Sequence, residues 1–222
     1  MPVSITQALD IIYQNTPVVS SELIPIEMAL GRVMSEDSIA TFDLPRFDNS
    51  AMDGYAVKCA DADAIVECND IIYAGDDPKV ALQETKAIKI MTGAPIPEGC
   101  EAVIPVENVT VDGTKITLPE KIEQDGHIRR AGEDIKKGSV YLHKSEKVTA
   151  YSIALLASQG VTHLRVTRKI KVAVFGTGDE LRPHFEKIEP HQLYNSNTPM
   201  FLARAKELGC EVEYIGSSGD TL

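Results

Sequence analysis

Four short segments of this chain concentrate residue types that bind ligands or move protons. Asp48-Asn49-Ser50-Ala51-Met52-Asp53-Gly54-Tyr55 sets two carboxylates, an amide and a hydroxyl within six residues, just ahead of a glycine. Small residues there let the backbone approach a ligand, and Asp53 has the chemistry to coordinate Mg2+ or exchange a proton. The same residues also suit a turn in which Asp and Asn cap their own backbone. In Met91-Thr92-Gly93-Ala94-Pro95-Ile96-Pro97-Glu98-Gly99, two prolines stiffen a loop that either presents the Thr92 hydroxyl or simply connects two strands. Arg129-Arg130-Ala131-Gly132-Glu133-Asp134 places a double cation beside a double anion. Arginine grips phosphate in a bidentate fashion and carboxylates orient it or share a metal, but a surface ion-pair cluster of little energetic weight reads identically. Gly176-Thr177-Gly178-Asp179-Glu180 directly follows an apolar run, the position where ligands bind at the carboxyl edge of open α/β sheets. Leu181 stands where a dinucleotide fingerprint needs its third glycine, and the Gly-Lys-Ser/Thr of a P-loop is absent. Acidic residues in that loop suit a metal, a ribose or a pterin N–H edge better than a bare phosphate.

The elements that must position these segments are legible from patterning. Ser4 and Gln7 have capping-box spacing, and Ile5, Ala8, Leu9 and Ile12 then share one face of a helix running to about Tyr13. A second short helix is expected over Ile26–Leu30, stopped by Gly31. Between Val33 and about Val140 the helical period disappears. Short β-rich runs replace it at Tyr55–Val57, Ile71–Tyr73, Ala87–Met91, Ala102–Val106 and Lys115–Leu118, separated by Gly-Asp-Asp-Pro, Pro-Ile-Pro-Glu-Gly and Asp-Gly turns. Thr149 caps a helix over Ala150–Ser158 that Gly160 ends, with Val161–Val166 extended behind it. Lys169–Phe175 reads as a strand buried on both faces. Thr198 and Pro199 form an N-cap and N1 pair for a helix running to Leu208 and stopped by Gly209, and Glu211–Ile215 is a second strand. That strand–helix–strand unit opens a parallel α/β sheet, and at Gly219-Asp220-Thr221-Leu222 the chain stops where another helix should begin. Two strands and one helix cannot cover both faces, so the sheet is expected to be a truncated one or to be completed by another polypeptide.

Composition narrows the function classes. The 222 residues are 43% hydrophobic and 25% charged with no Trp, an ordinary globular balance whose core must be built from aliphatic side chains. The formal net charge of −11 argues against a nucleic-acid partner, which requires a surplus of Lys and Arg. That charge is uneven: residues 1–120 carry 7 basic and 20 acidic side chains, whereas residues 121–182 carry 12 basic and 7 acidic. The contrast reads as solvated surface, as a boundary near residue 120, or as a basic face turned toward an anionic ligand. Cys59, Cys68, Cys100 and Cys210 lack C-x-x-C spacing and read as reduced thiols. None of the five His has a partner at metal or nucleophile spacing. The first residues lack a signal-peptide pattern and no apolar stretch reaches membrane-spanning length, so a cytoplasmic protein without a membrane partner is expected.

Together and in this order, D-N-S-A-M-D-G-Y-A-V, M-T-G-A-P-I-P-E-G-C-E-A-V, R-R-A-G-E-D-I and G-T-G-D-E-L resemble the molybdopterin molybdenumtransferase family, MoeA, whose eukaryotic relatives include gephyrin. The resemblance covers essentially the whole chain, but only the first half of a full-length member. It implies a multidomain fold of α/β and mixed β character. A discontinuous, dimer-forming N-terminal domain (residues 1–45 and 141–168) would accept a β-rich insert (46–140), followed by the incomplete start of a parallel α/β molybdopterin-binding domain (169–222). It further implies a homodimer, contacts with other molybdenum cofactor biosynthesis proteins, and Mg2+-dependent insertion of molybdenum from molybdate into adenylylated molybdopterin with release of AMP. The cleft would lie between the β-rich insert of one subunit and the α/β domain of the other. By motif, the catalytic positions fall on Asp53, Thr92, Asp134 and Glu180. Ser50, Gly93, Arg129, Arg130, Gly178 and Asp179 would contact substrate, and Asp53 and Asp134 would hold Mg2+. Molybdate is a dianion that bare carboxylates repel, so Asp53 and Asp134 are assigned to metal or proton work, Thr92 to an oxyanion, and Glu180 to orienting substrate or metal. The family's G-G-V-S-x-G, P-x-K-P-G-K-P and G-L-P-G-N-P motifs lie beyond Leu222, and Asn195 stands where Asp is common, so the chain alone is expected to be inactive. A non-catalytic, gephyrin-like scaffold is the alternative reading; retention of all four motifs favours the enzyme.

Overall fold

The computed structural model describes residues 3–17, 19–77 and 80–218. The architecture is β-rich, with three α-helices among the described residues. In chain order the elements begin with α1 (Ile5–Asn15), β1 (Ser21–Pro25), β2 (Ser38–Ile39), β3 (Asn49–Ser50), β4 (Gly54–Val57), β5 (Ile65–Ile72) and β6 (Lys86–Ile90). They continue with β7 (Ala102–Pro105), β8 (Thr110–Asp112), β9 (Lys115–Thr117), β10 (Ile128–Arg129), β11 (Val140–Leu142) and α2 (Ala150–Ser158). The last are β12 (His163–Thr167), β13 (Lys171–Thr177), β14 (Leu181–Arg182), β15 (Leu193–Tyr194), α3 (Asn197–Glu207) and β16 (Glu211–Ser218). The chain forms two compact units, residues 1–38 with 142–222, and residues 39–141. Among the described residues no helix is long and apolar enough to cross a membrane.

The 39–141 unit is built on a six-stranded sheet of order β7-β4-β6-β5-β9-β8. All its neighbouring pairs are antiparallel except β5 and β6. The alternation of side chains along a strand distributes apolar residues to both faces. Tyr55, Val57, Val66, Ala102, Ile104 and Ile116 belong to one buried cluster, and Ala56, Ile72, Ile88, Ile90, Val103 and Ile128 to another. β4 is buried along its whole length. Gly54 is required at its start: a Cβ there would lie 2.3 Å from the Ile104 carbonyl oxygen.

The other unit pairs β1 with β12 antiparallel and β13 with β16 parallel. Helix α1 begins with the expected Ser4–Gln7 capping box, and Thr149 caps α2 as expected, with Ser152 completing a capping box there. Three local expectations are corrected. The helix expected over Ile26–Leu30 is a single 3-10 turn, Ile26–Met28, because Gly31 enters the left-handed region at φ +76° and its N–H turns to the Val148 carbonyl. Thr198 is not the N-cap of α3. The helix starts at Asn197 after an uncapped Ser196, and Thr198 is instead buried, its N–H donating to Asn195 Oδ1. The apolar strand near residue 170 is β13, and it is not buried on both faces: alternate residues are exposed, Phe175 by 57%. With only β16 beside it and α3 as its covering helix, one face of this pair has no packing partner among the described residues. The expected helix start at Gly219–Leu222, and Pro78 of the Gly-Asp-Asp-Pro turn, lie outside the described residues.

Candidate active site

Three of the four motifs meet in the 39–141 unit, joined by backbone hydrogen bonds. Short β3 places Asn49 and Ser50 opposite Arg129 and Ile128 of β10. Ser50 donates its N–H to the Ala94 carbonyl and accepts from Gly93 N–H, at 3.0 and 2.8 Å. Ile96 N–H donates to the Asp48 carbonyl and Ala51 N–H to the His127 carbonyl. Gly93 makes this possible by adopting φ +80°, which a residue with a side chain rarely tolerates. Asp53 leaves this junction exposed, immediately before the buried β4.

Asp53 and Thr92 are brought into direct contact. Asp53 Oδ1 accepts both the N–H and the Oγ–H of Thr92, each at 2.7 Å. The Thr92 N–H, its hydroxyl and nearby Lys89 favour the charged carboxylate and hold its pKa below the ordinary range. Asp53 is therefore ionised at neutral pH, suited to hold a cation and poorly suited to donate a proton. The Thr92 hydroxyl, expected to meet an oxyanion, donates to this carboxylate.

The paired arginines are held by carboxylates. Arg129 donates from Nε to Glu133 and from Nη2 to Asp134, both at 2.7 Å. Arg130 binds Asp48 and Asp125, while its N–H donates to Glu133 at 2.9 Å. Asp48 also accepts the Ala131 N–H at 2.7 Å, the strongest of the contacts that lower its pKa. Arg129 likewise lowers Glu133. Two guanidinium groups thus face Asp48, Asp125, Glu133 and Asp134, with Asp53 on the same unit, so the cluster is anionic overall. Asp48, Asp125 and Glu133 are the participants that sequence reasoning left out of the site. Asp48 sits inside the first motif, but its partners Arg130 and Ala131 lie more than 80 residues away; Glu133 pairs within its own motif, three and four residues from Arg130 and Arg129. Ser50 is buried, and its hydroxyl donates to the Met52 carbonyl at 2.6 Å, which shapes the loop.

The fourth motif lies in the other unit, where β13 ends. Gly178 takes φ +130°, and a Cβ there would lie 2.6 Å from Glu180 Oε2, so the Glu180 carboxylate folds over this glycine. Asp179 accepts from Arg182 through its backbone carbonyl at 3.2 Å. Asn195 is buried, donates to Thr198 Oγ1 and accepts from Thr198 N–H. A Cβ at Gly176 would fall 2.5 Å from Asn195 Nδ2, which accounts for the first glycine of the motif.

Among the described residues no group of three or more His, Cys, Asp or Glu is arranged to hold a metal by itself. Mg2+ commonly takes one or two carboxylates and completes its shell with water and substrate phosphates. Asp53, exposed, ionised and tied through one oxygen, fits that use. Asp134 fits it less well, because its Oδ2 already accepts from Arg129.

The family model described as MoeA N-terminal region (domain I and II) matches residues 3–160. A molybdopterin molybdenumtransferase of Staphylococcus epidermidis is 36% identical across all of this chain and 54% of its own length. A relative of the same name from Haemophilus influenzae is 39% identical over 88% of this chain and 49% of its own. The crystal structure of a molybdopterin biosynthesis MoeA protein from Pyrococcus horikoshii OT3 superposes with a TM-score of 0.91 at 30% identity, covering 97% of this chain and 60% of that one. The chain spans about half the length of the curated relatives it matches.

Proposed function

The chain belongs to the MoeA family, and from that premise we propose that it serves molybdenum cofactor biosynthesis as part of a molybdopterin molybdenumtransferase. The proposed reaction inserts molybdenum from molybdate into adenylylated molybdopterin and releases AMP in a Mg2+-dependent step. The observation that carries this reading is the double hydrogen bond from Thr92 to Asp53, which unites two motifs 39 residues apart around one ionised carboxylate. Such a carboxylate repels the molybdate dianion and attracts a cation. Asp53 therefore holds Mg2+, and Thr92 fixes the direction of its carboxylate. Bound Mg2+ supplies a Lewis acid and neutralises charge on phosphoryl oxygens. Arg129 and Arg130 keep the Glu133–Asp134 loop in place beside β3.

In this reading Glu180, Gly178 and Asp179 act from an α/β molybdopterin-binding domain that this chain only begins and that residues beyond it complete. The protein is a homodimer, and the cleft pairs the β-rich unit of one subunit with the α/β domain of the other. The 222 residues alone are then inactive. The test is AMP release from adenylylated molybdopterin, with molybdate and Mg2+, by the full-length protein and its Asp53→Asn variant. A loss of about 100-fold or more is expected, the scale of a group acting directly on the reacting charges. An unchanged rate removes Asp53 from the site, and no AMP release by the unaltered full-length protein removes the transferase reading.

A further inference from the structure

The positive surplus between residues 121 and 182 is not exhausted by Arg129 and Arg130, which carboxylates hold. Three of its cations, Lys147, Arg168 and Lys169, line a cavity of about 460 Å³ in the unit formed by residues 1–38 and 142–222. Arg32 lines it too, but its guanidinium is bound to Glu22 and to the Thr167 carbonyl. Lys147, Arg168 and Lys169 form no ion pair among the described residues. Among the described residues the Arg168 side chain donates to neutral oxygens, Ser20 Oγ at 3.4 Å and the Lys169 carbonyl at 3.2 Å. The stem of Lys147 runs along Gly31, its Cε 3.8 Å from the place a Cβ would take. The carboxylate in the lining, Glu207, is engaged by Arg204 at 2.8 Å.

A chain with 33 acidic and 22 basic side chains has ample carboxylate to neutralise three cations lining one cavity, yet among the described residues these have no carboxylate partner. Like charges lining one cavity repel each other, and a bound anion reduces that repulsion. Lysine and arginine are the residues that hold phosphate. Leu30 and Ile170 add apolar lining that an inorganic ion would not use, and the volume lies within the range of small-molecule sites. The C-terminal end of α3 also borders the cavity at Leu208 and Gly209; its negative dipole end directs an anion to the lysine side.

We propose that this cavity binds a small organic phosphate, the phosphate on Lys147, Arg168 and Lys169 and the organic body against Leu30 and Ile170. The inference is independent of the reaction proposed above. The test titrates AMP, and separately inorganic phosphate, into the protein calorimetrically at low salt. AMP should saturate one site, with inorganic phosphate at least tenfold weaker. Lys147→Glu with Lys169→Glu, both exposed positions, should weaken AMP at least tenfold. The charge-matched pair Lys115→Glu with Lys121→Glu, in the other unit, should leave it within twofold. AMP should also protect Lys147 and Lys169 of the unaltered protein from an amine-reactive reagent, read by mass spectrometry, which locates the site without any substitution. Absence of saturation at millimolar AMP, equal weakening by both pairs, or protection confined to lysines elsewhere overturns the proposal. Equal affinity for inorganic phosphate overturns the role of the apolar lining.

Discussion

The six-stranded sheet of the 39–141 unit and the β13–α3–β16 segment of the other unit contain similar runs of Val, Ile and Ala, yet bury them very differently. In the first, both faces are covered, and Val57, Ile90 and Val103 are fully inaccessible. In the second, Phe175, Phe201 and Ile215 remain more than half exposed. A strand with two neighbours and a layer on each side has partners for every side chain. A parallel pair with one helix has partners for only one face. The candidate site loops differ less than the strands that carry them. Around Asp53, three distant segments are joined by hydrogen bonds within the 39–141 unit. The loop at Gly176–Glu180 is also tied to distant residues, Gly178 N–H donating to the Ser218 carbonyl at 3.3 Å and Leu193 N–H to the Glu180 carbonyl at 2.8 Å. Hydrogen bonds anchor both loops; packing is what distinguishes their surroundings.

That contrast can be broken most directly by truncating one apolar residue in each region. Ile90→Ala removes a fully buried side chain and should cost about 2–5 kcal/mol in denaturant unfolding. Phe175→Ala, at a largely exposed position, should change stability by about 0.5 kcal/mol or less. Equal losses would show that the β13–β16 pair is better packed than it looks. Gly54→Ala should cost about 1–3 kcal/mol, since the Ile104 carbonyl cannot yield to a new Cβ without moving β7 away from β4. The two capping boxes give a finer comparison. Thr149→Ala should cost about 1 kcal/mol, because α2 packs Leu156 into the core. Ser4→Ala should leave global unfolding unchanged and only fray α1, which has no buried residue.

The smallest expected effects are in titration. Asp48, Asp53 and Glu133 have folded pKa values below their ordinary ones, so the stability they contribute is complete above about pH 4 and is lost as pH falls through the lowered values. Thr92→Val should raise the Asp53 pKa toward its ordinary value, as read by carboxyl-carbon NMR titration, while leaving Asp48 in place. A shift of both would mean that the hydrogen-bonded segments move as one. Burial pushes the Cys100 thiol up to about 11, so thiol labelling at pH 8 should be slow there and accelerate on unfolding.

Local signals identified many of the elements whose stabilising partner is a few residues away. The Ser4–Gln7 capping box, the Thr149 cap, the span Ala150–Ser158, and the short strands at β4, β6 and β7 were legible because helix starts and turns depend on i to i+3 neighbours and on alternation. Thr198 misled for the same reason: its residue type suits an N-cap, but the side chain of Asn195 bonds its backbone N–H first. The individual site motifs were visible too, as clusters of chemically capable residues. Their partners were not. Nothing local indicates that Thr92 bonds Asp53, or that Asp48 binds an arginine 82 residues later.

The amino-acid sequence by itself determined the family, the positions of the four motifs and the short-range elements, all of which rest on residue identity and near-neighbour spacing. Only the tertiary structure decided which carboxylate stays ionised against which donor and which glycine must lack a Cβ. It alone also decided which apolar strand finds cover on two faces. Those outcomes depend on sheet order and register, and hydrogen bonds and packing contacts act over a few ångströms between segments that the chain separates by dozens of residues.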